Sequence, residues 1–170
     1  MADLNVEWMK PIQLPIDGKH SLTIDAESIP AKPGVYLFFR RMGTNTTEVV
    51  YVGKAENLKS RIHSHRNSHK LITELIDKKG VYYVMPGVFD ALPGQVAKSS
   101  IKVIERVLIR ACIEDEHPLI NVQGVRLRTQ HVASQLPAGA KFLEERIAFE
   151  PNKPAAKKAA AKKKVKKPKA

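Results

Sequence analysis

The sequence predicts one domain of mixed α/β type, of the α+β kind, followed by a basic tail. Three observations carry this. Three short runs rich in β-branched and aromatic residues read as strands: Val35-Tyr36-Leu37-Phe38-Phe39, Val49-Val50-Tyr51-Val52 and Val81-Tyr82-Tyr83-Val84-Met85. Two longer stretches, about 58–79 and 99–116, place apolar residues at helical spacing. Residues 151–170 hold only lysine, alanine and proline with single Asn152 and Val165, and no acid.

Taken in order, residues 1–30 read as an N-terminal arm. Ile12-Gln13-Leu14-Pro15-Ile16 and Ser21-Leu22-Thr23-Ile24 flank the turn pair Asp17-Gly18 and could form a small hairpin. Pro11, Pro15 and Pro30 point to an edge or a loop-rich arm. Residues 31–125 form the main domain. Its first two strands are joined by the polar segment Met42–Glu48, which predicts an antiparallel hairpin. That hairpin brings Tyr36 and Tyr51 near one another; ordinary packing of strand aromatics across the pair is the competing reading.

The second strand leads into Gly53, read here as a turn glycine that allows a close approach, with Lys54 in the turn. Asn57 is suited to cap a helix beginning at Leu58. On that helix Leu58, Ile62 and His65 share one side with Arg61 at its border. The helix breaks near Asn67-Ser68, resumes to Lys79 and stops at Gly80. The third strand ends at Met85, and residues 86–97 read as loop. The second long helix buries Ile101, Ile104, Leu108, Ala111 and Cys112. Glu105 lies near the edge of that stripe, where it can face a pocket rim or pair with Lys102, Arg106 or Arg110. The helix stops at His117-Pro118, and Leu119-Ile120-Asn121 returns to the body. Residues 126–150 form an extension: a basic strand or loop around 125–131, then a helix from Ala140 to about Phe149.

Bulk properties narrow the function. The chain has 170 residues and a formal charge of +12. Nine of the lysines fall after Pro151, leaving the remainder only mildly basic. The tail cannot build a packed core and is expected to be disordered when free. Its lysines, Lys157, Lys158, Lys162, Lys163, Lys164, Lys166 and Lys167 among them, suit non-specific phosphate binding. A nuclear-localisation cluster or an anionic-membrane anchor are the alternatives. The single cysteine, Cys112, excludes an internal disulfide and a cysteine-rich zinc module, and its apolar surroundings make it a buried thiol. No apolar run approaches the ~20 residues of a membrane span. Met1-Ala2-Asp3-Leu4-Asn5 is not a secretory signal. A cytoplasmic location is expected, nucleoid-associated in a bacterium or nuclear in a eukaryote.

Together the ordered residues resemble a GIY-YIG nuclease domain across roughly residues 31–125. The two signatures stand as Gly34-Val35-Tyr36 and Tyr51-Val52-Gly53, each with valine for isoleucine. The continuation Lys54-Ala55-Glu56-Asn57-Leu58-Lys59-Ser60-Arg61 is similar to the N-terminal nuclease domain of the excision-repair incision enzyme. His65 matches a histidine of homing and restriction members, Glu105 the metal-binding glutamate, and Pro118-Leu119-Ile120-Asn121 the closing segment. The loop between the signatures is longer than in many members. The tail resembles those of linker histones.

The resemblance implies a three-stranded antiparallel sheet flanked by helices. It implies an endonuclease that hydrolyses DNA phosphodiesters with one divalent metal, Mg²⁺ or Mn²⁺, on Glu105. Arg61 would brace the phosphate. Tyr36 would align or deprotonate the water, with Lys54 favouring its phenolate; His65 is the alternative base. Tyr51 would complete the hydrogen-bond network and Asn121 support the site from the side. A catalytically silent scaffold that binds nucleic acid is the alternative, and no residue separates DNA from RNA.

Overall fold

A computed structural model of the chain describes residues 3–17, 21–43, 46–76, 78–121, 130–135 and 146–149. The strands are β1 (Leu4–Trp8), β2 (Ile12–Leu14), β3 (Ile16–Asp17), β4 (Ser21–Leu22), β5 (Gly34–Met42) and β6 (Thr46–Ala55). Helix α1 (Leu58–Ser64), a 3₁₀ turn (His65–Asn67) and α2 (His69–Ile76) follow. Then come β7 (Val81–Phe89), α3 (Ala97–Glu114), β8 (Gln130–Gln135) and β9 (Arg146–Phe149).

The fold is α/β, as the alternation of strand and helix patterns predicts, but the sheet is larger than expected. Among the described residues it has seven strands rather than three, in the order β6-β5-β7-β1-β8-β9, with β2 also on β7. The expected antiparallel core is β6-β5-β7. The free side of β7 carries backbone groups that must be paired. Residues expected in an arm supply the partners: Val6 opposite Phe89, and Ile12 opposite Val84. Leu4, Val6 and Trp8 point inward in strict alternation, a period that the prolines beyond them masked. Strand β8 then adds to β1 in parallel, so the sheet is mixed. Strands β3 and β4 pair as a separate small hairpin.

Strand β7 runs through Pro86-Gly87, which read as loop. The Pro86 carbonyl accepts from Met9 N–H at 2.8 Å, on the side where β1 gives way to β2. The missing proline N–H faces the same side, so the pairing with β5 is undisturbed. At the other end, β5 and β6 extend to Met42 and back from Thr46, so most of the expected long loop is strand. Strand β6 also continues through Gly53 and Lys54 to Ala55, where a turn was expected. Residues 146–149, expected in a helix, pair instead with the open edge of β8. Backbone pairing there overrides a weak local helix preference. The rest of that helix, the 122–129 segment and the whole lysine tail lie outside the described residues.

Strand β5 is buried on both faces. Val35, Leu37 and Phe39 join Val52, Met85, Ile104 and Leu108 in a core beneath α3. Tyr36 and Phe38 join Leu58, Ile62, Leu71 and Leu75 in a second core beneath α1 and α2. Cys112 is buried in the first core, and burial pushes its thiol up to about 12, as an inert structural thiol requires.

Helix α3 ends before His117-Pro118, in a cap with a left-handed residue. Glu116 N–H bonds to the Ile113 carbonyl and His117 N–H to that of Cys112, with Glu116 at φ 60°. This is the Schellman pattern, in which glycine usually occupies that position. We expect Glu116→Gly to raise unfolding free energy by ~0.5–1 kcal/mol, read by urea denaturation. An unchanged or lower midpoint would place the strain elsewhere.

Candidate active site

The site is built on the second half of β6, an edge strand. A bulge in the β5–β6 pairing sets its geometry: Phe38 faces Tyr51 and Phe39 faces Val49, leaving Val50 unopposed. Val49 and Val52 therefore both enter the α3-side core, while Val50 and Tyr51 pack on the α1 side. Tyr36 lies directly opposite Gly53. A Cβ at Gly53 would collide with the Tyr36 ring, including Cε2 at 2.7 Å. Gly53 thus gives the close approach expected of it, but as an extended strand residue.

On the α1 side the structure brings Tyr36, Tyr51, Arg61 and His65 together. Asn57 caps α1 as expected, its Oδ1 accepting from Ser60 N–H at 2.9 Å. The cap fixes the start of the helix that carries Arg61 one turn on. The chain then tightens into the 3₁₀ turn, which delivers His65 under the sheet. His65 Nε2 lies 2.8 Å from the Tyr36 hydroxyl. Tyr36 and Tyr51 stack with ring centroids 6.1 Å apart, and His65 packs edge-on to Tyr51 at 5.4 Å. Phe38 closes the cluster at 5.2 Å from His65.

Burial divides these groups. Tyr36 is 0 % and His65 6 % exposed, whereas Tyr51 is half-buried and Arg61 exposed. Burial, then the neighbouring Tyr51, raises the Tyr36 phenol well above its ordinary value, against the lowering pull of Arg61. Burial and then the Arg61 charge lower His65 to about 4. Both groups are uncharged at neutral pH, and the phenol donates to Nε2 when the ring carries its proton at Nδ1. The Arg61 guanidinium is raised chiefly by its interaction with Tyr36, and further by Tyr51. Neither Tyr36 nor His65 is placed to touch bulk water, which weighs against either as the base expected from sequence. The phenol open to solvent is Tyr51.

The remaining residues meet β6 from two other directions. Lys54 points to the α3 face, where its Nζ sits 2.5 Å from Glu105 Oε2. The Glu105 side chain is 13 % exposed and that of Lys54 36 %. Lys54 is therefore engaged by Glu105 and does not contribute to the state of the Tyr36 phenol; Arg61 is the cation that does. Glu105 finds Lys54 rather than the neighbouring cations of its own helix. Asn121 grips the outer edge of β6: its Oδ1 accepts from Val52 N–H at 3.2 Å and its Nδ2 donates to the Val52 carbonyl at 2.6 Å. Ile120 N–H bonds to the Val50 carbonyl at 2.8 Å beside it. The sequence placed Asn121 beside the site but gave no sign of this backbone clamp.

No group of three histidine, cysteine or acidic side chains that could hold a metal occurs among the described residues. The donor set that remains is the Glu105 carboxylate. It fits Mg²⁺, which keeps several waters and binds proteins through one or two carboxylates plus substrate phosphates.

Two outcomes follow from this geometry. Gly53→Ala should destabilise the fold by ~2 kcal/mol or more, because the Tyr36 ring has no room to retreat. Calorimetry checks this, and an unchanged midpoint would contradict the close approach. Second, His65 binds its proton more weakly folded than unfolded. Its contribution is complete above the ordinary histidine value of 6.5 and is lost as pH falls through about 4. Unfolding free energy should thus fall by about 1 kcal/mol per pH unit across that window, and His65→Gln should remove this part of the slope.

The chain was compared with known proteins. Residues 32–82 match the family model described as a UvrC-like GIY-YIG domain. A protein named UvrABC system protein C from Chlorobium chlorochromatii is 32% identical over 107 residues, 62% of this chain and 15% of that protein. The protein of the same name from Mycoplasma mycoides is 35% identical over 78 residues, 42% of this chain and 12% of that protein. That from Streptococcus pyogenes serotype M5 is 46% identical over 59 residues, 34% of this chain and 8% of that protein. The chain thus aligns with only a small part of each relative's length. No solved structure matches significantly. The segment that holds Gly34, Tyr36, Tyr51, Gly53 and Arg61 is therefore similar to the UvrC-like GIY-YIG nuclease domain.

Proposed function

We propose that this chain is an endonuclease that hydrolyses phosphodiester bonds in DNA. The observation that carries the reading is that one edge strand is flanked by an exposed guanidinium and a half-open phenol on its α1 side and by a carboxylate on its α3 side. These are Arg61, Tyr51 and Glu105, in a segment similar to a nuclease domain. Hydrolysis adds water oxygen to phosphorus and releases one ester oxygen, with negative charge building on the phosphoryl oxygens. Arg61 braces the phosphate with its planar fork. Tyr51 aligns the attacking water by accepting a hydrogen bond from it, and the proton that the water gives up ends on the released ester oxygen. Tyr36 and His65 lie behind them and fix the Tyr51 ring. Glu105 would hold Mg²⁺ or Mn²⁺, which when bound neutralises charge at the phosphate. Asn121 positions β6 and touches no reacting atom.

The lysines after Pro151 would tether the substrate through its phosphates without sequence choice. Excision-repair-type incision is the process that the relatives suggest, and a cytoplasmic, DNA-associated setting goes with it. No helix among the described residues is long and apolar enough to cross a membrane. One observation favours the other reading, a silent scaffold that binds nucleic acid: Lys54 already engages the Glu105 carboxylate.

Nicking of supercoiled plasmid in Mg²⁺ or Mn²⁺ at low salt separates the two. Glu105→Ala and Tyr51→Phe should each lower the rate about 100-fold or more. A chain ending at Glu150 should still cut, but with weaker binding and a shallower salt dependence. Cleavage by Glu105→Ala at the parent rate would remove the metal assignment. DNA binding without cleavage in either metal would establish the silent scaffold.

A further inference from the structure

Glu105 takes its partner from the strand rather than from its own helix. Lys102 lies one turn before it on α3, at a spacing that suits an ion pair, and is exposed. The carboxylate instead holds Lys54 Nζ at 2.5 Å, across the seam between α3 and β6. The Glu105 side chain is only 13 % exposed, so water supplies little of the compensation that its charge needs. The seam does not depend on this pair alone. Val49, Val52, Ile104 and Leu108 share the core between strand and helix. A second ion pair, Lys98 to Glu56 at 3.1 Å, joins the end of β6 to α3 two helical turns before Glu105. With Glu56 engaged there, a dication at Glu105 has one protein carboxylate, and the Lys54 ammonium is already on it.

We infer that Lys54 is a resident counter-ion of Glu105, which competes with the divalent cation for that carboxylate and so sets how weakly the free protein holds its metal. The inference rests on the nuclease reading for the assignment of the metal to Glu105. In the free protein the ammonium supplies the positive charge that a largely buried carboxylate requires. A dication on either carboxylate oxygen would share Glu105 with that ammonium, and like charges at such range repel. Lys54 can give way. Its side chain is 36 % exposed, and a flexible four-carbon stem lets the head turn into water without moving β6. The pair is thus a brake on metal uptake rather than a permanent block. It suits an ion that binds through one or two carboxylates and completes its shell with water and substrate phosphates.

The test is Mn²⁺ binding by the full chain without DNA, at low ionic strength, read from the electron paramagnetic resonance of the free ion. Thermal unfolding is followed alongside. Lys54→Met keeps the stem and removes the charge, and it should bind Mn²⁺ about tenfold or more tightly than the parent. Lys54→Gln should tighten binding in the same way, and it serves if the methionine variant does not fold. Lys54→Arg keeps a cation on the carboxylate and should stay near the parent. Lys98→Met makes the same change of net charge as Lys54→Met, at the neighbouring exposed pair, and should also stay near the parent. Glu105→Gln should lose the site. Unchanged or weaker binding in Lys54→Met and Lys54→Gln, or an equal gain in Lys98→Met, would overturn the role of Lys54 and leave Glu105 as the ligand. Parent-like binding by Glu105→Gln would remove the metal assignment itself, and the competition with it.

Discussion

The Tyr36 ring fills the space that a Cβ at Gly53 would occupy, and the rest of the site depends on that contact. It removes the space any side chain would occupy on β6 at that point. It also buries the phenol, which then needs a partner, and His65 provides one at 2.8 Å. Reaching it requires α1 to start at Leu58, set by Asn57, and to tighten into a 3₁₀ turn at His65. One aromatic–glycine contact thereby fixes the helix that holds Arg61 out to solvent. The charged groups are displayed on a scaffold whose polar interior is already satisfied.

The second constraint is that β6 is an edge. Edge strands present unpaired backbone groups and move more easily than central ones. Here the strand is held on its inner side by β5, on the α3 face by the Lys54–Glu105 pair and on its outer side by Asn121 and Ile120. Those contacts surround the five residues that carry the site, Tyr51 to Ala55.

Much of this was legible in the sequence because it is local. The strand runs, the Asn57 cap, the break near Asn67 and the alignment of Leu58, Ile62 and His65 are short-range patterns, and all appear. The segment from Gly34 to Arg61 was legible as an ordered motif. What stayed hidden was non-local. The bulge at Val50 shifts which valines share a face, and no alternation rule reports it. The pairing of β1 and β2 with β7 joins distant segments through backbone groups every residue possesses. The partner of Glu105 lies 51 residues away, so a helix-based reading looked to the wrong cations. Solvent access likewise could not be read from residue types, and it moves the phenol facing water from Tyr36 to Tyr51.

The claim at the centre of this account is that β6, held at its edge, positions the chemistry. Its most direct test is Asn121→Ala, read by amide exchange at Val52 together with single-turnover nicking of plasmid DNA. Removing the clamp should expose the Val52 amide and cut the nicking rate about 100-fold, through misplacement of Tyr51 rather than loss of a reacting group. The global unfolding transition should shift only by the ~1–3 kcal/mol of an unmade backbone bond. A freely exchanging Val52 amide in a variant that nicks at the parent rate would show that the edge does not govern the site.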